Sequence, residues 1–100
     1  MAFFGNKVSA SEAEEMGLIY KSVSDDEFNS VVEKTASKLS AMPTLALGLT
    51  KAAFHEGMDC DLNDQLAREL EYQFIAAESD DYAEGVASFL EKRAPEFKGK

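Results

Sequence analysis

Apolar residues recur along the chain at intervals of three and four between short polar breaks, a spacing that puts them on one face of successive short helices. Ser9-Ala10-Ser11-Glu12, serine followed three residues later by glutamate, predicts a capping box and a short helix, with Gly17 placed to stop it in a left-handed conformation. Leu18-Ile19-Tyr20-Lys21-Ser22-Val23 then alternates and is β-rich, predicting one strand. Ser24-Asp25-Asp26-Glu27 repeats the capping pattern and puts acidic residues where the helix dipole favours them. The helix it opens carries Phe28, Val31, Val32, Thr35, Ala36 and Leu39 on one face.

Pro43 ends that segment and suits the first turn of a third helix, which carries Leu45, Leu49, Ala52 and Ala53 toward Gly57. Asp61 is placed to cap a fourth, with Leu62, Leu66, Leu70 and Phe74 at steps of four and Ala67 and Ala77 alongside. Ser79-Asp80-Asp81 opens a fifth, striped by Tyr82, Val86, Phe89 and Leu90. Lys92 and Arg93 are expected in its last turn, and Pro95 beyond them as a stop. The expected class is mostly α, with roughly five short helices and one short strand. The fifth helix is expected to dock by its stripe, with Phe89 in the core. Phe3, Phe4, Leu18, Tyr20, Phe28, Phe54, Phe74 and Tyr82 are the other large side chains seeking burial.

A length of 100 residues with 45% hydrophobic content gives one modest core and excludes a disordered tail. The longest apolar runs, such as Leu45-Ala46-Leu47, are far too short to span a membrane. The first seven residues have no basic region ahead of an apolar stretch, so no secretory signal is read, and a cytoplasmic or organelle-matrix location is expected. A single cysteine, Cys60, fits a reducing compartment. The net charge of −9 disfavours nucleic acid and anionic membrane surfaces as partners.

His55, Glu56, Asp59, Cys60 and Asp61 invite a metal reading, but the pattern is incomplete. His55-Glu56 lacks a second histidine at position 59, and the calcium-loop beginning at Asp59 has Asp64 for its glycine and Leu70 for its bidentate glutamate. No metal site is expected. Most of the 19 acidic residues fall on polar faces or in first turns, as solvated or capping groups.

Three collinear stretches resemble the crotonase family of enoyl-CoA hydratases and isomerases. They are Gly5 to Ala13 continuing through Gly17-Leu18-Ile19 and Val23, Met42-Pro43-Thr44 with Ala46 to Lys51, and the most specific, Ser79 to Lys100. The resemblance implies a C-terminal segment: residues 1–23 as the last strand-helix remnant of a spiral core, and 24–100 as a helical domain. That domain would cover the acyl-CoA pocket and mediate trimer-type homo-oligomerisation, with the crotonase core and neighbouring subunits as partners. It also implies a coenzyme A thioester as the substrate of the whole enzyme, no further cofactor, and no catalytic residue within this segment. The family's chemistry stabilises a thioester enolate with two aimed amides and uses a positioned carboxylate, and the segments that carry these lie upstream. Hydratase and isomerase cannot be separated from these residues.

The family's phosphate-reaching lysine corresponds to Lys92, where complementing the helix C-terminus is the alternative role. Its adenine-side aromatic falls at Gln73, one residue from Phe74, which makes Phe74 the nearby coenzyme A candidate and also the next member of the Leu62-Leu66-Leu70 stripe. Removed from its partners such a segment would expose apolar faces that drive self-association, the alternative being that its helices repack into a closed bundle. The alternative reading is a free-standing helical protein-interaction module with no enzymatic role.

Overall fold

Five helices form within residues 5–100, the part of the chain that this computed structural model describes; Phe3 and Phe4 lie outside the described residues. They are α1 (Ala10–Glu15), α2 (Asp25–Ser40), α3 (Thr44–Glu56), α4 (Leu62–Ala77) and α5 (Asp80–Glu91). The chain divides into two compact units, Met1–Thr35 and Ala36–Lys100.

In the first unit the local signals act as read. The Ser9 side chain accepts from the Glu12 amide, and the Ser9 amide donates back to the Glu12 carboxylate at 2.8 Å. The Ser9 hydroxyl, which donates to the Glu12 carboxylate at 2.6 Å, and then the Ser9 amide hold the Glu12 carboxyl below its usual pKa. Gly17 takes φ 72°, and the Leu18 amide donates to the Ala13 carbonyl at 2.8 Å, closing α1 with a left-handed turn. Ala13 is the one buried apolar residue among those described. At the start of α2 the Ser24 hydroxyl donates to the Glu27 carboxylate at 2.8 Å, while the Glu27 amide donates to the Ser24 carbonyl at 3.1 Å rather than to the hydroxyl.

The strand expected over 18–23 does not form: the segment is bent and irregular, and the described residues contain no strand. A strand needs an edge to pair with, and an isolated alternating segment has none. The Ser22 amide, which a ladder would use, instead donates to the Glu14 carboxylate at 2.8 Å.

The second unit is built on the α3–α4 hairpin, with α5 packed more slightly against α4. Asp61 caps α4 by accepting from the Asn63 and Asp64 amides at 2.8 and 3.0 Å. Ser79 caps α5 through the Tyr82 amide at 3.1 Å. No large apolar side chain of this unit is buried.

The docking of α5 reverses the expectation. Phe89 is 81% exposed, and Tyr82, Val86 and Leu90 are exposed beside it, while Asp81 and Ser88 are each only 3% exposed. What covers the polar face is the chain's own end. After Glu91 the backbone turns and residues 93–100 return along α5 as a strap. The periodicity identified the apolar stripe correctly. It could not reveal that the strap covers the opposite face.

Candidate functional site

The α3–α4 hairpin encloses a groove of about 610 Å³, lined by Leu49, Ala53, Phe54, Leu66 and Leu70 among others, with Gln65, Glu69, Tyr72 and Gln73 on its polar side. The steps of four along α4 and of three and four along α3 produce that apolar lining. Gln65 bridges the two helices, its amide nitrogen donating to the Ala53 carbonyl at 3.2 Å and to Glu69 at 2.8 Å.

A second polar tie closes the loop end of the hairpin. One oxygen of Glu56, at the end of α3, receives the Arg68 guanidinium at 2.7 Å and the Tyr72 hydroxyl at 2.8 Å. Arg68 and Tyr72 stand one turn apart on α4, so both reach the same carboxylate. Arg68 foremost, then Tyr72, holds Glu56 below its ordinary pKa; the same contact pushes Tyr72 up and Arg68 up. Sequence reasoning missed this triad. Its readable half was the Arg68–Tyr72 spacing; its other half, Glu56, becomes a neighbour only once the hairpin folds.

The third cluster is the strap on α5. The Arg93 guanidinium forks onto Glu84, with contacts of 2.5 and 2.8 Å, and its Nε donates to Glu91 at 2.6 Å. Glu84 also accepts from the Glu96 amide at 2.8 Å. The two oxygens of Asp81 accept from the Lys98 and Gly99 amides at 2.6 and 2.8 Å, and the Asp81 amide donates to the Lys100 carbonyl at 3.0 Å. Arg93 first, and then the Glu96 amide, brings the Glu84 carboxyl down to about 2. Phe97 lies over Gly85, 3.7 Å from where a Cβ would stand.

Both expected coenzyme A contacts are exposed. Phe74 is on α4, 63% exposed, and does not line the groove, whereas the neighbouring Gln73 does. Lys92 is not in the last turn of α5, as expected, and neither is Arg93: α5 ends at Glu91, and Lys92 follows it with φ 56°, ψ 38°. Arg93 serves Glu84 and Glu91 rather than the helix terminus. Of the residues weighed for metal, Asp61 caps α4 and the Cys60 thiol sits 3.5 Å from the Gln65 carbonyl oxygen. The described residues hold no group of three or more His, Cys, Asp or Glu side chains able to share an ion.

Glu12, Glu56 and Glu84 are all held on the ionised side by their partners. No helix among the described residues is long and apolar enough to cross a membrane.

The sequence profile of the family described as Enoyl-CoA hydratase/isomerase matches residues 1–100. The chain is 41% identical over 100 residues to a 1,2-epoxyphenylacetyl-CoA isomerase of Escherichia coli K12, covering all of this chain and 38% of that protein. It is 32% identical over 100 residues to a crotonyl-CoA hydratase of Syntrophomonas wolfei, again with the whole chain matching 38% of the relative. The crystal structure of an enoyl-CoA hydratase from Bacillus anthracis superposes with a TM-score of 0.86 at 31% identity, over 98% of this chain and 38% of that one. The chain thus spans well under half the length of these relatives, and the same stretch matches an isomerase and hydratases alike.

Proposed function

Because the chain belongs to the enoyl-CoA hydratase/isomerase family, we propose that it is the C-terminal helical segment of an acyl-CoA hydratase or isomerase, covering the acyl-CoA pocket and joining neighbouring subunits. In this reading residues 1–23 end the spiral core and 24–100 form the helical domain. The substrate of the whole enzyme is a coenzyme A thioester, handled without a further cofactor. Lys92 contacts its phosphates and Phe74 lies near its adenine.

One observation carries the reading: the apolar stripes of α4 and α5 are formed helix faces that stay largely exposed. Leu62, Leu66, Leu70, Phe74, Tyr82, Val86, Phe89 and Leu90 are all exposed. Fully burying each large aliphatic or Phe side chain among them contributes about 1.5–3 kcal/mol. Together that is comparable with the whole ~5–15 kcal/mol stability of a domain. Faces of this kind are made to be covered, and this chain spans 38% of the length of each of those two relatives.

Within such an enzyme the segment supplies walls and contacts, not the reacting groups. Amides in the first turns of α1, α4 and α5 serve Ser9, Asp61 and Ser79, and the Glu56 and Glu84 carboxylates are held by Arg68 and Arg93. The test is a graft in which the aligned 100-residue stretch of the Syntrophomonas crotonyl-CoA hydratase is replaced by this chain. The graft is expected to hydrate crotonyl-CoA. A folded, soluble graft with no turnover refutes the reading.

A further inference from the structure

Lys92 is the one non-glycine residue among those described with a left-handed backbone, φ 56°. Glycine would adopt that conformation freely; an L-residue there is strained. Lysine holds that state at the end of α5, where the strap begins, and its surroundings must maintain it.

Those surroundings can be followed atom by atom. The Lys92 amide donates to the Phe89 carbonyl at 3.3 Å and the Arg93 amide to the Ser88 carbonyl at 3.1 Å, which closes the left-handed turn. Two amide bonds at a helix end fray easily. What keeps the turn closed is the path after it: the Arg93 fork on Glu84, the Glu96 amide on the same carboxylate, and the strap's last amides on Asp81. Released from these carboxylates, Lys92 would relax to an ordinary backbone and its Cα–Cβ bond would point elsewhere.

We propose that Glu84 and Asp81 are positioning residues, whose carboxylates latch the 93–100 strap along α5 and thereby aim Lys92 at the phosphates of coenzyme A. The proposal rests on the reading of Lys92 as a phosphate contact, and the latch adds why that lysine is aimed. A point charge on a flexible stem is a weak ligand when free; fixing its base removes part of the entropy lost on binding.

The test uses the crotonyl-CoA hydratase graft with Lys92→Ala, Glu84→Gln, Asp81→Asn and the Lys92→Ala/Glu84→Gln pair. Steady-state kinetics are read together with amide exchange at Lys98 and Gly99. Glu84→Gln and Asp81→Asn are expected to speed exchange of those amides. Each single variant should raise KM for crotonyl-CoA by about five- to tenfold, with kcat within about twofold, as for a contact remote from the reacting carbon. The double variant should be no worse than Lys92→Ala alone, because both changes remove one interaction. If Lys92→Ala raises KM while Glu84→Gln and Asp81→Asn free the strap and leave KM unchanged, the latch does not aim the lysine and the inference is overturned. If Lys92→Ala itself leaves KM unchanged, the phosphate-contact reading fails first and takes the latch's role with it.

Discussion

Replacing Phe89 by alanine should have consequences of very different size in two settings. In the chain alone Phe89 is 81% exposed. A Phe side chain offers roughly 200 Å² for burial. Only about a fifth of that is shielded here, so truncation forfeits on the order of 1 kcal/mol at about 25 cal/mol per Å². Alanine returns about 0.5 kcal/mol through its better helix propensity. The net effect on the isolated chain is therefore a few tenths of a kcal/mol. In the hydratase graft, where the proposed function puts the α5 stripe against the rest of the enzyme, the same truncation would empty a filled site and should cost about 3–5 kcal/mol. Urea titration followed by circular dichroism, run on both proteins with and without the substitution, reads the difference directly. A loss near 3 kcal/mol in the isolated chain would mean that the stripe is already packed. No loss in the graft would mean that α5 docks some other way.

Further outcomes follow from the polar ties. Glu56→Gln removes the partner that raises the Tyr72 hydroxyl, so spectrophotometric titration should find Tyr72 nearer its ordinary value of 10.0; an unmoved titration contradicts the triad. Gly99 has φ 75°, and a Cβ there would run into the Thr44 hydroxyl. Gly99→Ala should therefore loosen the strap, by about 1–2 kcal/mol from the left-handed backbone alone, seen as faster exchange of the Lys98 amide; unchanged exchange refutes the tight approach. Glu84 has its folded pKa depressed from 4.5 to about 2. Its contribution is thus complete above about pH 4.5 and fades as pH falls toward 2. Carboxyl NMR should place its midpoint near the lower figure, and a midpoint near 4.5 would mean that the Arg93 fork does not form in solution.

The parts of the fold that were legible in the sequence are those decided within a few residues. Ser9 with Glu12, Gly17, Asp61 and Ser79 announced helix ends because each cap joins neighbours along the chain. The strand at 18–23 was misread because alternation records only which residues could line a face. The pairing edge must come from elsewhere, and nothing in the described chain supplies it. The α5 stripe was visible, but periodicity does not name the occupant of a face. Lys98 and Gly99 lie 17 and 18 residues from Asp81, and the amides of a strap carry no sequence mark. Lys92 and Phe74 came from family resemblance, and the structure adds something resemblance did not contain: the left-handed backbone under Lys92. The Glu56–Arg68–Tyr72 tie fell between the two, since the α4 spacing was readable and the hairpin partner was not.

In the proposed function this chain completes an acyl-CoA enzyme without performing its chemistry. Turnover in trans tests it most directly. Crotonyl-CoA is offered to the chain alone, to the Syntrophomonas hydratase lacking its aligned stretch, and to the two mixed. Neither part is expected to give turnover above a heat-killed control, and the mixture is expected to give turnover that rises with added chain and saturates. Turnover by the 100-residue chain alone, or a stable complex of the two parts with no activity, would contradict it.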